Sequence, residues 1–233
     1  MHEQLEALPI IRFPFDLASL PNNGIYFFYE DSEHWSHGGK RPRIVRVGTH
    51  KDGNFRSRIA EHFVLDERKM NFDTTTLAPH ERSIFRKHIG RALLNRSNDP
   101  YLKVWNIDFT SKASRERDAH LRDIGKEKTV ECEITALLRK YFSFRYIVVA
   151  QESVRMGVSG IERKLIGTVA QCSECSPSRV WLGNQSPQPQ IRETGLWLIH
   201  HLKTPTLSPA EMNLLAKAIG DTRTWIKNER RLP

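Results

Sequence analysis

The sequence predicts an α/β fold of the α+β kind: a small mixed or antiparallel sheet flanked by helices, with helical insertions and a helical C-terminal extension. Three observations predict it. Two runs rich in aromatic and β-branched residues, GIYFFYE at 24–30 and RIVRVGT at 43–49, flank a loop-forming stretch. Later segments repeat apolar residues at the helical period. The segment opening at Ser208 carries a complete helix-start signal.

The elements follow in order. Pro21-Asn22-Asn23-Gly24 is a turn leading into the first strand. DSEHWSHGGKRP (31–42), with its Gly pair and Pro, reads as a hairpin loop, so the two strands are antiparallel. KDGN (51–54) interrupts the chain before FRSRIAEHF (55–63), where Phe55, Ile59 and Phe63 mark the buried face of a helix. A second helix is expected over 80–95, with Phe85, Ile89, Ala92 and Leu93 along one side. YLKVWNID (101–108) reads as a strand, and the charge-mixed residues 113–126 as an exposed helix or a loop. VECEITALLRKYF (130–142) is helical, FRYIVVA (144–150) a buried strand, and 157–171 a helix entered from a Gly/Ser turn. Residues 172–190 hold too much Ser, Pro and Gly for regular structure. In the last helix Ser208 is the N-cap, Pro209 the first helical residue and Glu211 the reciprocal partner of a capping box.

No repeat or low-complexity linker divides the chain. One elaborated domain is expected over residues 1–200, with core motifs at 24–63 and 144–171, an insertion at about 66–140, and a helical extension over 201–233.

The 233 residues suffice for a sizeable core, and 39% hydrophobic with 27% charged residues is ordinary for a globular protein. The net charge of +9 is not ordinary, and it makes polyanions the first partner class to weigh. No apolar run approaches the ~18 residues of a membrane span. The N-terminus, MHEQLEALPIIRFPFDL, carries acids and lacks the clean apolar centre of a signal peptide. Three cysteines argue against a disulfide scaffold and for a reducing, cytoplasmic compartment. Cys172-x-x-Cys175 is half a zinc site with no second pair, and His200 and His201 complete it at no recognisable spacing, so free thiols are expected.

Positive charge concentrates around the hairpin and the helix after it: Lys40, Arg41, Arg43, Arg46, Lys51, Arg56 and Arg58 face only Asp52. Arg82, Arg86, Lys87 and Arg91 add a basic face to the second helix. Such residues suit phosphate contacts and predict salt-sensitive binding of nucleic acid.

One ordered set of residues is more specific. A strand with Gly24-Ile25-Tyr26 is followed by a strand with Arg46-Val47-Gly48. A helix then carries Arg58-x-x-x-His62, and a distant helix carries Glu162-x-x-Leu165-Ile166. This order resembles the GIY-YIG nuclease family, and SIFRKHIG (83–90), PSRVWLG (177–183) and TGLWLIHH (194–201) are similar to one bacterial branch of it. The resemblance spans roughly residues 20–200.

It implies a divalent-metal-dependent endonuclease that hydrolyses DNA phosphodiesters, with RNA as the other possible substrate, in restriction, phage defence or mobile-element biology. Glu162 is then the ligand of Mg²⁺ or Mn²⁺, hard ions that suit a carboxylate. Arg58 and His62, one helical turn apart, address the scissile phosphate, and Tyr26 is the general base. A free phenol is only about 0.1% ionised at neutral pH, so this role needs cations beside it, and Arg46, Arg58 and the metal are placed to serve. Lys40, Arg41, Arg43, Lys51, Arg56, Arg86, Lys87 and Arg91 are the expected DNA contacts. Cutting both strands with one site per chain takes a homodimer or two successive nicks.

The chain departs from the family pattern in two places. Arg46 stands where the second signature carries tyrosine, and Val180 where some relatives carry Asn before the Trp, with Asn184 a weak substitute. Arg46 cannot act as a phenolic relay, which leaves a degenerate nucleic-acid-binding module, or a subunit active only with a partner, as the alternative readings.

Overall fold

The computed structural model describes residues 1–35 and 39–229; residues 36–38 of the expected hairpin loop and 230–233 of the expected extension lie outside the described residues. Four strands, β1 (Ile11–Arg12), β2 (Ile25–His34), β3 (Pro42–Thr49) and β4 (Phe142–Ile147), form one antiparallel sheet in the order β1-β4-β2-β3. Around it lie α1 (His2–Leu5), α2 (Phe55–Phe63), α3 (Pro79–Arg82), α4 (Ile84–Arg96), α5 (Leu102–Trp105), α6 (Lys112–Asp118), α7 (Ile124–Tyr141), α8 (Glu152–Arg155), α9 (Ile161–Ala170), α10 (Pro189–Thr194) and α11 (Pro209–Glu229). None of the helices among the described residues is long and apolar enough to cross a membrane.

β2 explains why its sequence is apolar without alternation: it is buried on both faces. Tyr26 and Phe28 join Phe55, Ile59 and Phe63 of α2, Phe85 and Ile89 of α4, and Ile134 and Leu138 of α7 in one core. Ile25, Phe27 and Tyr29 join Leu165, Ile166 and Val169 of α9 and Leu215 and Ile219 of α11 in the other. The stretch 66–140 thus supplies two core helices, and the C-terminal helix closes the opposite layer. Its capping box is formed as expected, with Ser208 N donating to Glu211 Oε2 at 2.9 Å and Glu211 N to Ser208 Oγ at 3.3 Å.

Three local expectations are corrected. Residues 101–108 are not a strand: Asp99 nucleates a helical turn by accepting from Tyr101 N on its side chain (2.9 Å) and from Leu102 N on its carbonyl (3.1 Å). Trp105 then stacks on His80 at 3.8 Å and lies against Gly90. The helix expected at 80–95 is broken at Ser83, whose extended backbone ends α3 and whose hydroxyl caps α4 through Arg86 N at 3.3 Å. Finally, α7 begins at Ile124 rather than Val130, because Asp123 caps it by accepting from Lys126 N at 2.9 Å.

Candidate active site

Both signature glycines occupy positions where a side chain would collide. A Cβ on Gly24 would approach Ile147 O of β4 to 2.6 Å, and one on Gly48 would strike the Tyr26 hydroxyl and ring. Tyr26 pairs directly with Gly48 across β2 and β3, so the phenol lies over the glycine rather than beside a neighbouring side chain. Two pairs further on, Phe28 faces Arg46; the next pair is Tyr29 with Ile44, so Val45 is the extra residue of a bulge. The bulge frees the Val45 carbonyl to accept from Trp197 N at 2.8 Å, and Trp197 O in turn accepts from Arg46 Nη1 at 2.5 Å.

Arg46 is therefore anchored beneath the TGLWLIHH segment. Its guanidinium lies 4.9 Å over the Phe85 ring, and its Nε is buried without a partner. Burial lowers the pKa of Arg46, while the neighbouring Tyr26 hydroxyl and Glu162 carboxylate oppose that shift. The residue that replaces the second signature tyrosine thus stands beside the first.

The Tyr26 side chain, 2% exposed, ends at His62, with 3.1 Å between its hydroxyl and Nε2. His62 Nδ1 lies 2.8 Å from Ser83 Oγ, which already accepts from Arg86 N. With the Tyr26 phenol ionised, one arrangement satisfies every member: Ser83 donates its hydroxyl proton to Nδ1, and Nε2–H donates to the Tyr26 oxygen. With the phenol protonated, either tautomer of His62 leaves one hydroxyl proton, that of Tyr26 or that of Ser83, without an acceptor among the described residues. Burial, then the charges of Arg58, Arg46 and Arg86, hold the His62 pKa well below the usual histidine value, so the ring is neutral. When the phenol is ionised, donors point in sequence from Ser83 through His62 toward its oxygen. His62 was expected to address the phosphate with Arg58; instead both its ring nitrogens are engaged inside the protein.

Arg58 stays partly exposed, held by Glu61 Oε2 at 2.9 Å and the Arg82 carbonyl at 2.6 Å. Glu162 sits in the first turn of α9, where a carboxylate complements the helix dipole. Its Oε1 accepts from Thr49 N at 3.0 Å, the amide next to Gly48, while Thr49 Oγ1 donates to the Gly24 carbonyl at 2.6 Å. Thr49 therefore ties the glutamate to both signature strands. Burial raises the Glu162 pKa, opposed by the Thr49 N–H and by Arg46. Its Oε2 takes no hydrogen bond among the described residues. A hard carboxylate oxygen left free in this way suits an ion such as Mg²⁺ that keeps most of its own waters.

Several expected DNA contacts are corrected by burial. Arg43 is fully buried in a two-pronged pair with Glu33, through Nε at 2.8 Å and Nη2 at 2.6 Å. Arg86 is fully buried against Glu131, and Lys87 is buried against Glu81 at 2.9 Å and the Ile107 carbonyl at 2.7 Å. Glu33 and Glu81 lie only 10 and 6 residues from their cations and Glu131 45, and a buried cation must find such a partner. Arg41 is exposed but turned toward Glu3 and Glu6; Arg91 is half-buried, bonded to Asn106. Arg56 is half-buried and donates to the Leu20 carbonyl, whereas Lys40 and Lys51 are exposed. Val180 is 83% exposed, and Asn184 uses its amide on the Ser178 and Arg179 carbonyls.

Three participants had no place in the sequence reading: Ser83, Thr49 and His88. Ser83 was visible as a helix cap but hidden inside an unbroken helical period. His88 is buried near Arg46 and Arg91, and burial first, then those charges, brings its pKa down to about 3.

Tyr26, Arg46, Arg58 and Glu162 thus share one electrostatic neighbourhood, built from the inner strand β2, the edge strand β3 and the starts of α2 and α9. The sequence model of the GIY-YIG domain matches residues 15–225, and the chain belongs to that family. Its domain is a nuclease domain, so nucleic acid is the substrate class, and such nucleases generally use a divalent metal. Among curated proteins and solved structures, none matches the chain with significance.

Proposed function

We propose that the protein is an endonuclease that hydrolyses DNA phosphodiester bonds with Mg²⁺ or Mn²⁺. The observation that carries this reading is the hydrogen-bonded chain Ser83–His62–Tyr26, which ends beside Arg46 at the two strands that Thr49 ties to Glu162.

Phosphodiester hydrolysis is among the slowest biological reactions uncatalysed, so several effects must act together. Tyr26, as phenolate, takes a proton from water, and the water oxygen bonds to phosphorus as the P–O3′ bond breaks. The anion it requires is stabilised by the His62 Nε2–H and by Arg46. Arg58 offers a planar fork to the non-bridging oxygens, where developing charge is best met by a fixed donor. Glu162 Oε2 would hold the divalent ion, which supplies Lewis acidity to the phosphate and the leaving oxygen. Lys51 and Lys40, both exposed, extend positive charge toward flanking phosphates. A setting in restriction, phage defence or a mobile element is consistent with such an enzyme.

The test is incubation of the purified protein with supercoiled plasmid, linear duplex and RNA, with Mg²⁺, Mn²⁺ or chelator, alongside Glu162→Ala. Metal-dependent cutting of DNA by wild type only, with binding retained in the variant, is expected. Salt-sensitive binding by both proteins with cleavage by neither, across metals and substrates, would instead identify a binding module.

A further inference from the structure

The Cys172-x-x-Cys175 pair follows the C-terminal end of α9, and the chain turns back there, with Cys175 N donating to the Cys172 carbonyl at 3.2 Å. The expected completion by His200 or His201 is not what the fold provides. The histidine that meets the pair is His2, at the start of α1, more than 160 residues away in sequence. Its Nε2 lies 2.8 Å from Cys175 Sγ, and the ligand atoms of His2, Cys172 and Cys175 all fall within 4.8 Å of one another.

We propose that these three side chains form a zinc site. With Zn–S near 2.3 Å and Zn–N near 2.05 Å, a tetrahedral ion needs its ligands roughly 3.8 Å apart for two sulfurs and roughly 3.6 Å for sulfur and nitrogen. The spread here brackets those values, so an ion enters by side-chain shifts of under about 1 Å. Two thiolates with an imidazole are a soft donor set that favours zinc over the hard ion assigned to Glu162.

The ring is also oriented beforehand. His2 stacks on Trp35 with centroids 5.5 Å apart and planes 15° apart, and its Nδ1 is buried with no partner. Among the described residues, sulfur is thus the one polar contact of the ring. Cys175 is buried and Cys172 half-exposed, so the fourth position opens on the Cys172 side, where water completes the tetrahedron. No other His, Cys, Asp or Glu among the described residues joins the group. Binding displaces the thiol protons to solvent and leaves the oxidation state of every atom unchanged.

Such an ion would fasten the segment before β1 to the end of α9, the helix that opens with Glu162. It would do so independently of any nuclease activity.

The full chain is expressed with zinc supplementation, purified under reducing conditions without chelator, and analysed for metal by mass spectrometry. Stoichiometric zinc is expected in wild type and in Cys132→Ser, which removes the exposed third cysteine, and its loss in Cys172→Ser, Cys175→Ser and His2→Ala. Because a variant can fail to fold, wild type is also loaded with Co²⁺. A thiolate-to-cobalt charge-transfer band and tetrahedral d–d bands are expected, with a lower thermal midpoint after chelation. Zinc-free wild type from zinc-rich medium, zinc unchanged in the Cys172 and Cys175 variants, or a Co²⁺ spectrum without the thiolate band would overturn the proposal.

Discussion

Replacing Ser83 with alanine removes one oxygen that serves two purposes. As the cap of α4 it accepts from Arg86 N, a contact worth ~1 kcal/mol. As the partner of His62 Nδ1 at 2.8 Å it satisfies a buried ring nitrogen, and leaving such a group unpaired costs about 1–3 kcal/mol. The two losses share an atom, so a total of roughly 2–4 kcal/mol is expected in denaturant unfolding. The chemical consequence is separate. Without the Ser83 donor, the imidazole no longer has to present Nε2–H to Tyr26. A hydrogen bond of about 1–2 kcal/mol lost from the transition state slows single-turnover cleavage by roughly 5- to 30-fold. Ser83→Thr keeps the hydroxyl and restores most of the rate, even if its extra methyl costs stability in this buried position. Ser83→Ala that is destabilised yet cleaves at the wild-type rate while folded would refute the directed chain and leave Ser83 a cap alone.

Other consequences are equally direct. Arg86→Ala takes the guanidinium from Oε2 of the buried Glu131, leaving it only His80, and should cost about 3–5 kcal/mol by denaturant titration, while the salt dependence of DNA binding by the folded variant stays unchanged. A shallower salt slope would return Arg86 to the phosphate contacts. Gly48→Ala drives a methyl into the Tyr26 hydroxyl and ring, with an expected loss of about 1–3 kcal/mol and of cleavage. Wild-type activity in that variant would show that the phenol position does not matter. His62 and His88 both have pKa values depressed in the folded state, so below about pH 6.5 the unfolded chain binds more protons than the native one. The stability they contribute is complete above that pH and is lost as pH falls toward their folded values. The urea midpoint should therefore drop between pH 7 and 5, and His88→Gln should flatten part of that slope.

Much of the fold was legible because its signals are local. The four-residue recurrence of Phe55, Ile59 and Phe63 gave α2 with its observed ends, and Ser208-Pro209-Ala210-Glu211 gave the start of α11. Where two periods compete, sequence alone misled. Leu102, Val104 and Asn106 alternate like a strand, but Asp99 and Pro100 start a helical turn that burial of Trp105 completes. The break at Ser83 was hidden because both flanks keep the helical period, and only the hydroxyl contact with His62 gives it purpose.

At the candidate site, residue types and their order singled out Tyr26, Arg46, Arg58, His62 and Glu162, and the fold brings all five into one electrostatic neighbourhood. Their division of labour was not legible. That His62 is turned inward and that Arg46 stands beside the phenol depend on a β-bulge and on Trp197, which no local pattern announces. The basic face was overread for a similar reason. Counting charge along a segment cannot reveal that the nearby Glu33 and Glu81 are buried with Arg43 and Lys87, or that Glu131 returns from 45 residues away to bury Arg86. The same long-range return brings His2 to Cys172 and Cys175.

The role assigned to Tyr26 is tested most directly by single-turnover cleavage of a labelled DNA duplex by wild type and Tyr26→Phe. Mg²⁺ is present throughout, and protein is in excess so that both are fully bound. Removal of the hydroxyl is predicted to slow cleavage by about 10²- to 10⁴-fold with DNA affinity unchanged. Cleavage by Tyr26→Phe at the wild-type rate would contradict it.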